Sequence, residues 1–489
     1  MQNDKYYKTL NDNPTSNEEL IKRFYGNFAK RVINEIKGCD APKTIAITGG
    51  WGSGKTSVLA NIYQELTGKS APFENNTQSE KDKSSAEGNS QSGNGKPSYI
   101  GVWFEAWRYQ HEVQPVIALL HAIKDEFSLL PSLQQSVKKI TNVALFGSLA
   151  IFDGVAKKLS GGVDPKLSKL PQIAKQYEQD NLLAQLPSNQ IHHALEAAVD
   201  TVIKEANHPK LLIFIDDLDR CHPSAALKLL EGIKLYLNIP KCVIVMAVDQ
   251  EQLEQAVKAE FDNTGHHFIG VEYLEKLCQD AHRIPAIPAH ISAKFVVEEV
   301  KKLLGSRAEM KESTSALTSA LDQIKIQLEK FACLPANPRR IKMVINRLVA
   351  HLTDWEELSS IEIQDSSKNT ASKPVAVDVA QQTEALIFIV CTQVSYRAIF
   401  EQIAWDTSFI ERIVDVFNDD NFTDESRAQL TGTALEGIYI PSETTPLKGI
   451  HPSHLTVFRP VTIIQDEEIN IEIFKALLKT LIDRYNGFE

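Results

Sequence analysis

The sequence lacks the cysteine patterns of metal and redox sites, and it lacks an excess of positive charge. Its six cysteines are scattered among 489 residues, with no C-x-x-C pair and no zinc-site spacing. Several of them lie within apolar runs, so we expect reduced thiols in the core. The formal net charge of -11 argues against a general basic surface for nucleic acid, although it does not exclude a local basic groove.

The sequence also has little that would hold it in a membrane. Its N-terminal segment, MQNDKYYKTLNDNP, lacks the apolar region of a signal peptide, which predicts a cytoplasmic protein. The most apolar stretch, residues 140–155, is short for a membrane span, contains Asp153 and is flanked by lysines. We therefore expect a buried or surface-seeking helix at this stretch, and no membrane anchor.

One stretch carries a specific signal: residues 44–59, TIAITGGWGSGKTSVL. It predicts a short strand, a glycine-rich turn and the start of a helix, and it fits G-x-x-x-x-G-K-[ST] without departure. In such a loop, consecutive backbone N–H groups surround a phosphate, and the helix N-terminus adds partial positive charge. The sequence therefore predicts a nucleoside triphosphate site. The residues predicted to bind the nucleotide are Gly49, Gly50, Trp51, Gly52, Ser53, Gly54, Lys55, Thr56 and Ser57.

The loop and a later strand supply the expected catalytic and metal-binding side chains. The Lys55 ammonium can reach the β- and γ-phosphates, and the Thr56 hydroxyl can ligate Mg²⁺. Residues 211–216 form a continuous apolar run that ends in acids, which is typical of a strand buried on both faces of a parallel sheet. After such a strand, we expect Asp216 to hold Mg²⁺ through water and Asp217 to act as the base for the attacking water.

For three further residues, the sequence leaves more than one role open. Arg220 could stabilise charge on the γ-phosphate in the transition state, or it could form an internal ion pair. Asp249, which follows the apolar run 242–248, could sense the γ-phosphate or cap the next helix. Trp51 must point away from the phosphates; we expect it to pack on the edge of the sheet, with contact to the base or a neighbouring subunit as the alternative. No N-K-x-D motif for guanine follows any predicted strand, so adenine is the expected base.

Five motifs together give the chain a specific resemblance. In order they are GGWGSGKTS at 49–57, FEAW at 104–107, FIDDLDRC at 214–221, YLEKLCQ at 273–279 and NPRRIK at 337–342. With these motifs, the chain from about residue 15 to 350 resembles the KAP family of P-loop NTPases. The resemblance implies an ATPase of the additional-strand class, related to the AAA-like and STAND switch ATPases, with a helical lid after the last strand.

The resemblance also implies roles for individual residues. Asp216 and Asp217 take the Walker B roles. Glu105 lies just past the second strand and is the alternative to Asp217 as the base. Arg339 or Arg340 would reach the nucleotide from the lid; the alternative is that both are solvated helix-start residues or bind an acidic partner.

The predicted fold class is α/β: a P-loop NTPase with a parallel five-stranded sheet flanked by helices, followed by an α-helical lid and C-terminal region. The expected domains are a helical lead-in at 1–38, the ATPase core at 39–289, the helical lid at 290–363 and a mostly helical interaction region at 374–489. Within the core we expect a disordered insertion at 70–98, whose polar composition cannot offset its ordering entropy, and a helical insertion at 130–188.

The residues and the resemblance together predict a Mg²⁺-dependent ATPase that works as a switch or motor. The resemblance further implies a multi-protein assembly in bacterial antiphage defence, such as a Qat-type system, with other protein subunits or a homo-oligomer as partners. One alternative is a nucleotide-gated scaffold that binds ATP with little hydrolysis, because Asp217 is a shorter base than the usual Glu. The other is a small-molecule kinase, although no acceptor site with its own acid is evident in the sequence.

Overall fold

The computed structural model describes residues 9–73, 99–112, 114–129, 187–261, 275–308, 314–353, 355, 362–363, 375–418 and 470–486. Most of the two predicted insertions, and the whole apolar stretch 140–155, lie outside the described residues. The chain forms two compact units: Pro14–Pro285, and a second made of Met1–Asn13 with Ala286–Glu489.

The first unit alternates helices with strands, and the described residues of the second unit form helices and one short strand pair. The elements of the first unit are α1 Glu18–Tyr25, α2 Phe28–Gly38, β1 Lys43–Thr48, α3 Lys55–Thr67, β2 Ile100–Glu105, α4 Pro115–Leu129, α5 Pro187–Ala206, β3 Leu211–Asp216, α6 Pro223–Tyr236, β4 Cys242–Val248, α7 Gln250–Phe261 and β5 Asp280–Arg283. Short 3₁₀ turns follow β2 at Ala106–Tyr109 and β3 at Leu218–Arg220. The elements of the second unit are α8 Ala289–Ala308, α9 Thr314–Phe331, α10 Pro338–Leu352, β6 Glu362–Ile363, β7 Val375–Ala376, α11 Val379–Ser395, α12 Arg397–Trp405, α13 Phe409–Asn418 and α14 Ile471–Asn486.

The first unit is built on a sheet of five parallel strands in the order β2-β3-β4-β1-β5. The register pairs Ile45 of β1 with Val245 of β4, and Glu105 of β2 with Asp216 of β3. Because parallel strands end at the same edge of a sheet, the segments that follow β1 to β4 meet at one carboxyl edge. The predicted α/β fold, a parallel five-stranded sheet flanked by helices, is confirmed.

Strands β3 and β4 are apolar apart from Asp216 at the end of β3, because helices cover both faces of the sheet. Every residue of β3 and β4 is buried, as the continuous apolar runs predict. On one face, Phe104 of β2 lies in a core cluster with Leu119 of α4. On the other face, the ring of Tyr63 in α3 meets the rings of Trp103 and Phe214 edge-on, with centroids 5.5 Å and 5.2 Å away. All six cysteines are free thiols, as expected.

The described part of the helical lead-in contains two helices, which are separated by Gly26 and Asn27. Gly26 follows α1 with φ of 60°, a left-handed conformation that glycine adopts without steric cost. The chain then turns into α2, whose Val32, Ile33 and Ile36 are buried. Helix α1 therefore ends at Tyr25, whose hydroxyl contacts the loop between β1 and α3.

In the second unit, α8 to α11 and α14 pack together as a helical assembly. The central helix α11 is buried from Gln382 to Thr392, and its Phe388 ring lies 6.0 Å from the Phe474 ring of α14, centroid to centroid. The side chain of Asn346 in α10 exchanges two hydrogen bonds with the backbone of Leu10, at 2.7 Å and 2.9 Å. Within the described residues, none of the helices combines the length and apolar character needed to cross a membrane.

The close approach of β2 to α3 gives a testable prediction about stability. A Cβ at Gly101 would lie 2.3 Å from Cγ2 of Thr67 and 2.9 Å from the ring of Tyr63. Both neighbours are buried, so Gly101→Ala should lower the free energy of unfolding by about 1–3 kcal/mol through overpacking. Urea denaturation measures the loss.

Gly38→Ala is the matched control, because nothing lies within 4 Å of a Cβ at that position. It should leave stability unchanged or raise it by less than about 1 kcal/mol. Equal denaturation midpoints for the two variants would contradict the packing of β2 on α3.

Candidate nucleotide site

The loop between β1 and α3 has the backbone conformation of a phosphate-binding turn. Gly52 and Gly54 have φ of 77° and 94°, in the left-handed region that favours glycine. The loop is closed by a hydrogen bond from Ser53 N to Gly50 O at 3.1 Å, and Gly49 N donates to Val248 O of β4 at 3.3 Å. The loop therefore lies at the carboxyl edge of the sheet, with the N-terminus of α3 directly behind it.

The Lys55 ammonium lies among three oxygen atoms. Its Nζ donates to the carbonyl oxygens of Gly49 and Gly50 at 2.8 Å and 3.2 Å. It also forms an ion pair with Oδ2 of Asp219 at 3.0 Å, and both side chains are about nine-tenths buried, with relative exposures of 8% and 10%. The predicted phosphate-binding lysine is thus held by its own loop and by the turn that follows β3.

The predicted metal ligands Thr56 and Asp216 are brought together. Thr56 Oγ1 donates to Oδ1 of Asp216 at 3.1 Å, across the sheet from α3 to the end of β3. Burial and, as a smaller cause, the negative charge of Asp217 raise the pKa of the Asp216 carboxyl to about 7. A hydroxyl and a carboxylate are the hard oxygen donors that Mg²⁺ prefers, and a buried carboxylate with a raised pKa is stabilised by a cation. These two residues therefore fit a magnesium ion.

Asp217 lies beside Asp216 and is held by an arginine. Its backbone has φ of 55°, a left-handed conformation that Asp tolerates better than most residues. Its Oδ1 lies 2.9 Å from Nε of Arg220, so the internal ion pair expected as one alternative for Arg220 is present. Burial raises the pKa of the Asp217 carboxyl, whereas the charge of Arg220 lowers it.

Glu105, the alternative base, reaches the same edge from the neighbouring strand. It pairs in register with Asp216, and its negative charge contributes to the raised pKa of Asp217. Its Oε2 accepts a hydrogen bond from Nε of Arg108, in the turn just after β2. The structure therefore places both candidate bases close together, and each contacts an arginine.

Asp249 caps a helix at the end of β4. Its Oδ1 accepts from the backbone N–H groups of Glu251 and Gln252 at 3.2 Å and 3.4 Å, at the start of α7. Because β4 neighbours β1, Asp249 lies at the same carboxyl edge as the loop. The structure shows its capping role; its sensor role stays a prediction.

Trp51 and Ser57 were both predicted to bind the nucleotide, and the structure shows further features of each. Trp51 is 69% exposed, so the expectation that its indole packs on the edge of the sheet is wrong. The Ser57 hydroxyl accepts from Thr15 N at 3.1 Å, which ties the segment before α1 to the first turn of α3.

Arg339 and Arg340 belong to the second unit, at the start of α10. The Asn337 side chain caps this helix by accepting from the backbone N–H groups of both arginines, at 3.0 Å and 3.2 Å. The Arg339 side chain forms an ion pair with Asp12. Their expected role at the nucleotide stays a prediction.

Two residues at the site were not assigned a role from the sequence. The Tyr25 hydroxyl donates to Ser53 O at 2.8 Å, and a Cβ at Gly54 would lie only 2.0 Å from that hydroxyl. No motif marks this tyrosine, because the contact depends on how α1 packs against the loop. Asp219 lies within the D-D-L-D-R motif, which marks it as a residue near the site. The spacing of the motif does not reveal that its partner is Lys55.

Comparisons with known proteins place the chain in a family. The model of the KAP family P-loop domain matches residues 25–353. The solved structures similar to this chain include the Walker-type ATPase PABY2304 of Pyrococcus abyssi, at 11% identity with a TM-score of 0.35, covering 96% of this chain and 98% of that chain. They also include Drosophila ORC bound to DNA, at 11% identity with a TM-score of 0.32, covering 96% of this chain and 94% of that chain.

No curated protein matches the chain in sequence. The family model, however, spans well over half of the residues and includes the phosphate-binding loop, the strand-end acids and the helix start at 338–340. The chain belongs to the KAP family of P-loop NTPases.

Proposed function

We propose that the chain is a Mg²⁺-dependent ATPase that acts as a switch or motor within a multi-protein assembly. One observation supports it above the others: a lysine, a hydroxyl and two carboxylates converge at one edge of the sheet. These are Lys55 in the loop, Thr56 at the start of α3, and Asp216 and Asp217 at the end of β3. P-loop NTPases use this set of groups to bind a triphosphate and to hydrolyse it.

Each group has a definite part in the proposed reaction. The loop N–H groups and Lys55 would bind the β- and γ-phosphates of ATP. Thr56 and Asp216 would hold Mg²⁺, which, when bound, neutralises charge on these phosphates. Asp217 would accept the proton of the attacking water, and burial, which raises its pKa, makes it a stronger proton acceptor. Arg220 would then leave Asp217 and stabilise charge on the γ-phosphate.

A second function, a nucleotide-gated scaffold with little hydrolysis, is favoured by a specific contact. Oδ1 of Asp217 is engaged by Nε of Arg220 at 2.9 Å, which lowers the pKa of the carboxyl and opposes its action as a base. If this pair persists when ATP is bound, the protein would bind nucleotide and present a conformation to a partner. Glu105 is the remaining candidate base in that case, once it is released from Arg108.

The wider setting rests on the family resemblance. We propose that the chain works with other protein subunits in bacterial antiphage defence, as in a Qat-type system, and that it binds ATP in the cytoplasm. Cells that carry the gene together with its neighbouring genes should resist phage infection, and Lys55→Met should abolish the protection. If this variant protects cells as well as the unmodified protein does, the defence role does not require nucleotide binding.

Hydrolysis itself gives the first functional prediction. Asp217→Asn keeps the size of the side chain but removes the base, so phosphate release should fall at least about 100-fold while ATP binding is kept. Lys55→Met should lose binding, because the loop then lacks its cation. Phosphate release is measured on the purified protein with Mg²⁺ and ATP, and binding by calorimetry.

Two further variants serve as controls for this prediction. Asp200→Asn removes the same charge from α5, where Asp200 pairs with Lys204 and Lys241, and should change neither quantity. Glu105→Gln tests the alternative base: a loss confined to this variant would transfer the base role from Asp217 to Glu105. Tight binding with no release by the unmodified protein would leave the scaffold as the function.

The tether between α1 and the loop gives a second prediction. Tyr25→Phe removes the hydroxyl that donates to Ser53 O, a bond worth about 1 kcal/mol, so ATP should bind about fivefold more weakly. The ring still fills the space beside Gly54, so the melting temperature should fall by no more than about 2–4 °C. Calorimetric titration with a non-hydrolysable ATP analogue measures the affinity.

Tyr99→Phe is the matched control for this change. Tyr99 is buried like Tyr25 but precedes β2, at the opposite edge of the sheet. Its variant should bind ATP as the unmodified protein does. An affinity loss of equal size in both variants would show that the Tyr25 hydroxyl acts on overall stability and not on the loop.

A further inference from the structure

The ion pair between Lys55 and Asp219 is an unusual feature of the site. The two side chains come from different elements, the start of α3 and the 3₁₀ turn after β3, and they meet at 3.0 Å. Both are about nine-tenths buried, so water screens their attraction weakly. Together with the carbonyl oxygens of Gly49 and Gly50, Asp219 gives the Lys55 ammonium three oxygen partners, one for each of its protons.

A triphosphate requires the same ammonium group. In a loop of this pattern the lysine binds the β- and γ-phosphates, which carry negative charge as Asp219 does. The two anions would lie close to one cation in a buried setting, where their mutual repulsion is strong. Binding of the phosphates therefore has to displace Asp219 from Lys55, and the free energy of the broken ion pair is subtracted from the affinity for nucleotide.

The turn that carries Asp219 also contacts the candidate base. Arg220, the next residue in the turn, holds Asp217 at 2.9 Å, and the preceding residue, Leu218, is buried in the core. A three-residue turn thus engages both the phosphate-binding lysine and the base. Movement of Asp219 away from Lys55 would shift the neighbouring Arg220, which links arrival of the phosphates to release of Asp217.

We propose that Asp219 is a built-in competitor of the nucleotide: it neutralises Lys55 while the loop is empty and weakens ATP binding until the phosphates displace it. Asp219 is a positioning residue for Lys55, and it acts on affinity through this lysine. The inference rests on the proposed nucleotide site, although it does not depend on hydrolysis. It predicts that removal of the Asp219 charge strengthens binding, whereas a purely structural acid would weaken binding when removed.

Asp219→Asn tests the proposal with a non-hydrolysable ATP analogue and Mg²⁺ in a calorimetric titration. The variant should bind the analogue about tenfold more tightly than the unmodified protein. Asp219→Ser removes the same charge with a smaller side chain and should give a gain of the same direction. Asp219→Glu keeps the charge and should give no gain. Asp200→Asn, the charge-matched control far from the loop, should bind as the unmodified protein does.

The melting temperature is a second measurement, and a purely structural role of Asp219 would change it in a different way. Without nucleotide, Asp219→Asn should lower the melting temperature, because Lys55 is left buried without its anion. The increase in melting temperature on adding the analogue should then be larger in the variant than in the unmodified protein. An equal or smaller increase would overturn the proposal.

The outcomes separate this inference from the proposed function. If the unmodified protein binds no ATP analogue, and neither uncharged variant does, the nucleotide site itself is wrong. If the unmodified protein binds but Asp219→Asn and Asp219→Ser bind equally or more weakly, only the competitor role of Asp219 is overturned. Tighter binding by both uncharged variants, with Asp219→Glu unchanged, supports it.

Discussion

The site depends on one buried cation, the Lys55 ammonium, and on the oxygen atoms that surround it. Parallel strands bring the ends of β1 to β4 to one edge, so the loop after β1 faces the acids after β3. Left-handed glycines let the loop turn its carbonyl oxygens onto Lys55, and Asp219 supplies the counter-charge. A buried ammonium without such partners would destabilise the fold, so the loop carbonyls and Asp219 balance a charge that a triphosphate could also balance.

The acids near this lysine differ in the group that each of them contacts. In the part of the chain that the structure describes, Asp219 faces Lys55, Asp217 faces Arg220 and Glu105 faces Arg108. Asp216 instead accepts from the Thr56 hydroxyl, and burial raises the pKa of its carboxyl to about 7. The acid whose pKa is raised to about 7 is the one next to the hydroxyl at the start of α3. Its environment is therefore the one in which a divalent cation would be most stabilising.

Much of this arrangement could be predicted from the sequence, and the limits have physical causes. Local patterns sufficed for the loop, for α3 and for the buried runs of β3 and β4, because glycine conformation and apolar continuity are properties of neighbouring residues. The identity of Asp216 as the partner of Thr56 followed from its place at a strand end. Trp51 was predicted wrongly, because the exposure of a loop side chain depends on elements that are distant in the sequence. The contacts of Tyr25 and Asp219 arise from the packing of α1 and from the path of a three-residue turn, which no spacing encodes.

A crystal structure of the protein with Mg²⁺ and a non-hydrolysable ATP analogue would test these assignments. We expect Lys55 Nζ to contact the β- and γ-phosphate oxygens, Asp219 to lie beyond ion-pair distance of Lys55, and Thr56 and Asp216 to lie at the metal. An analogue bound elsewhere, or a Lys55–Asp219 pair that persists beneath bound phosphates, would contradict them.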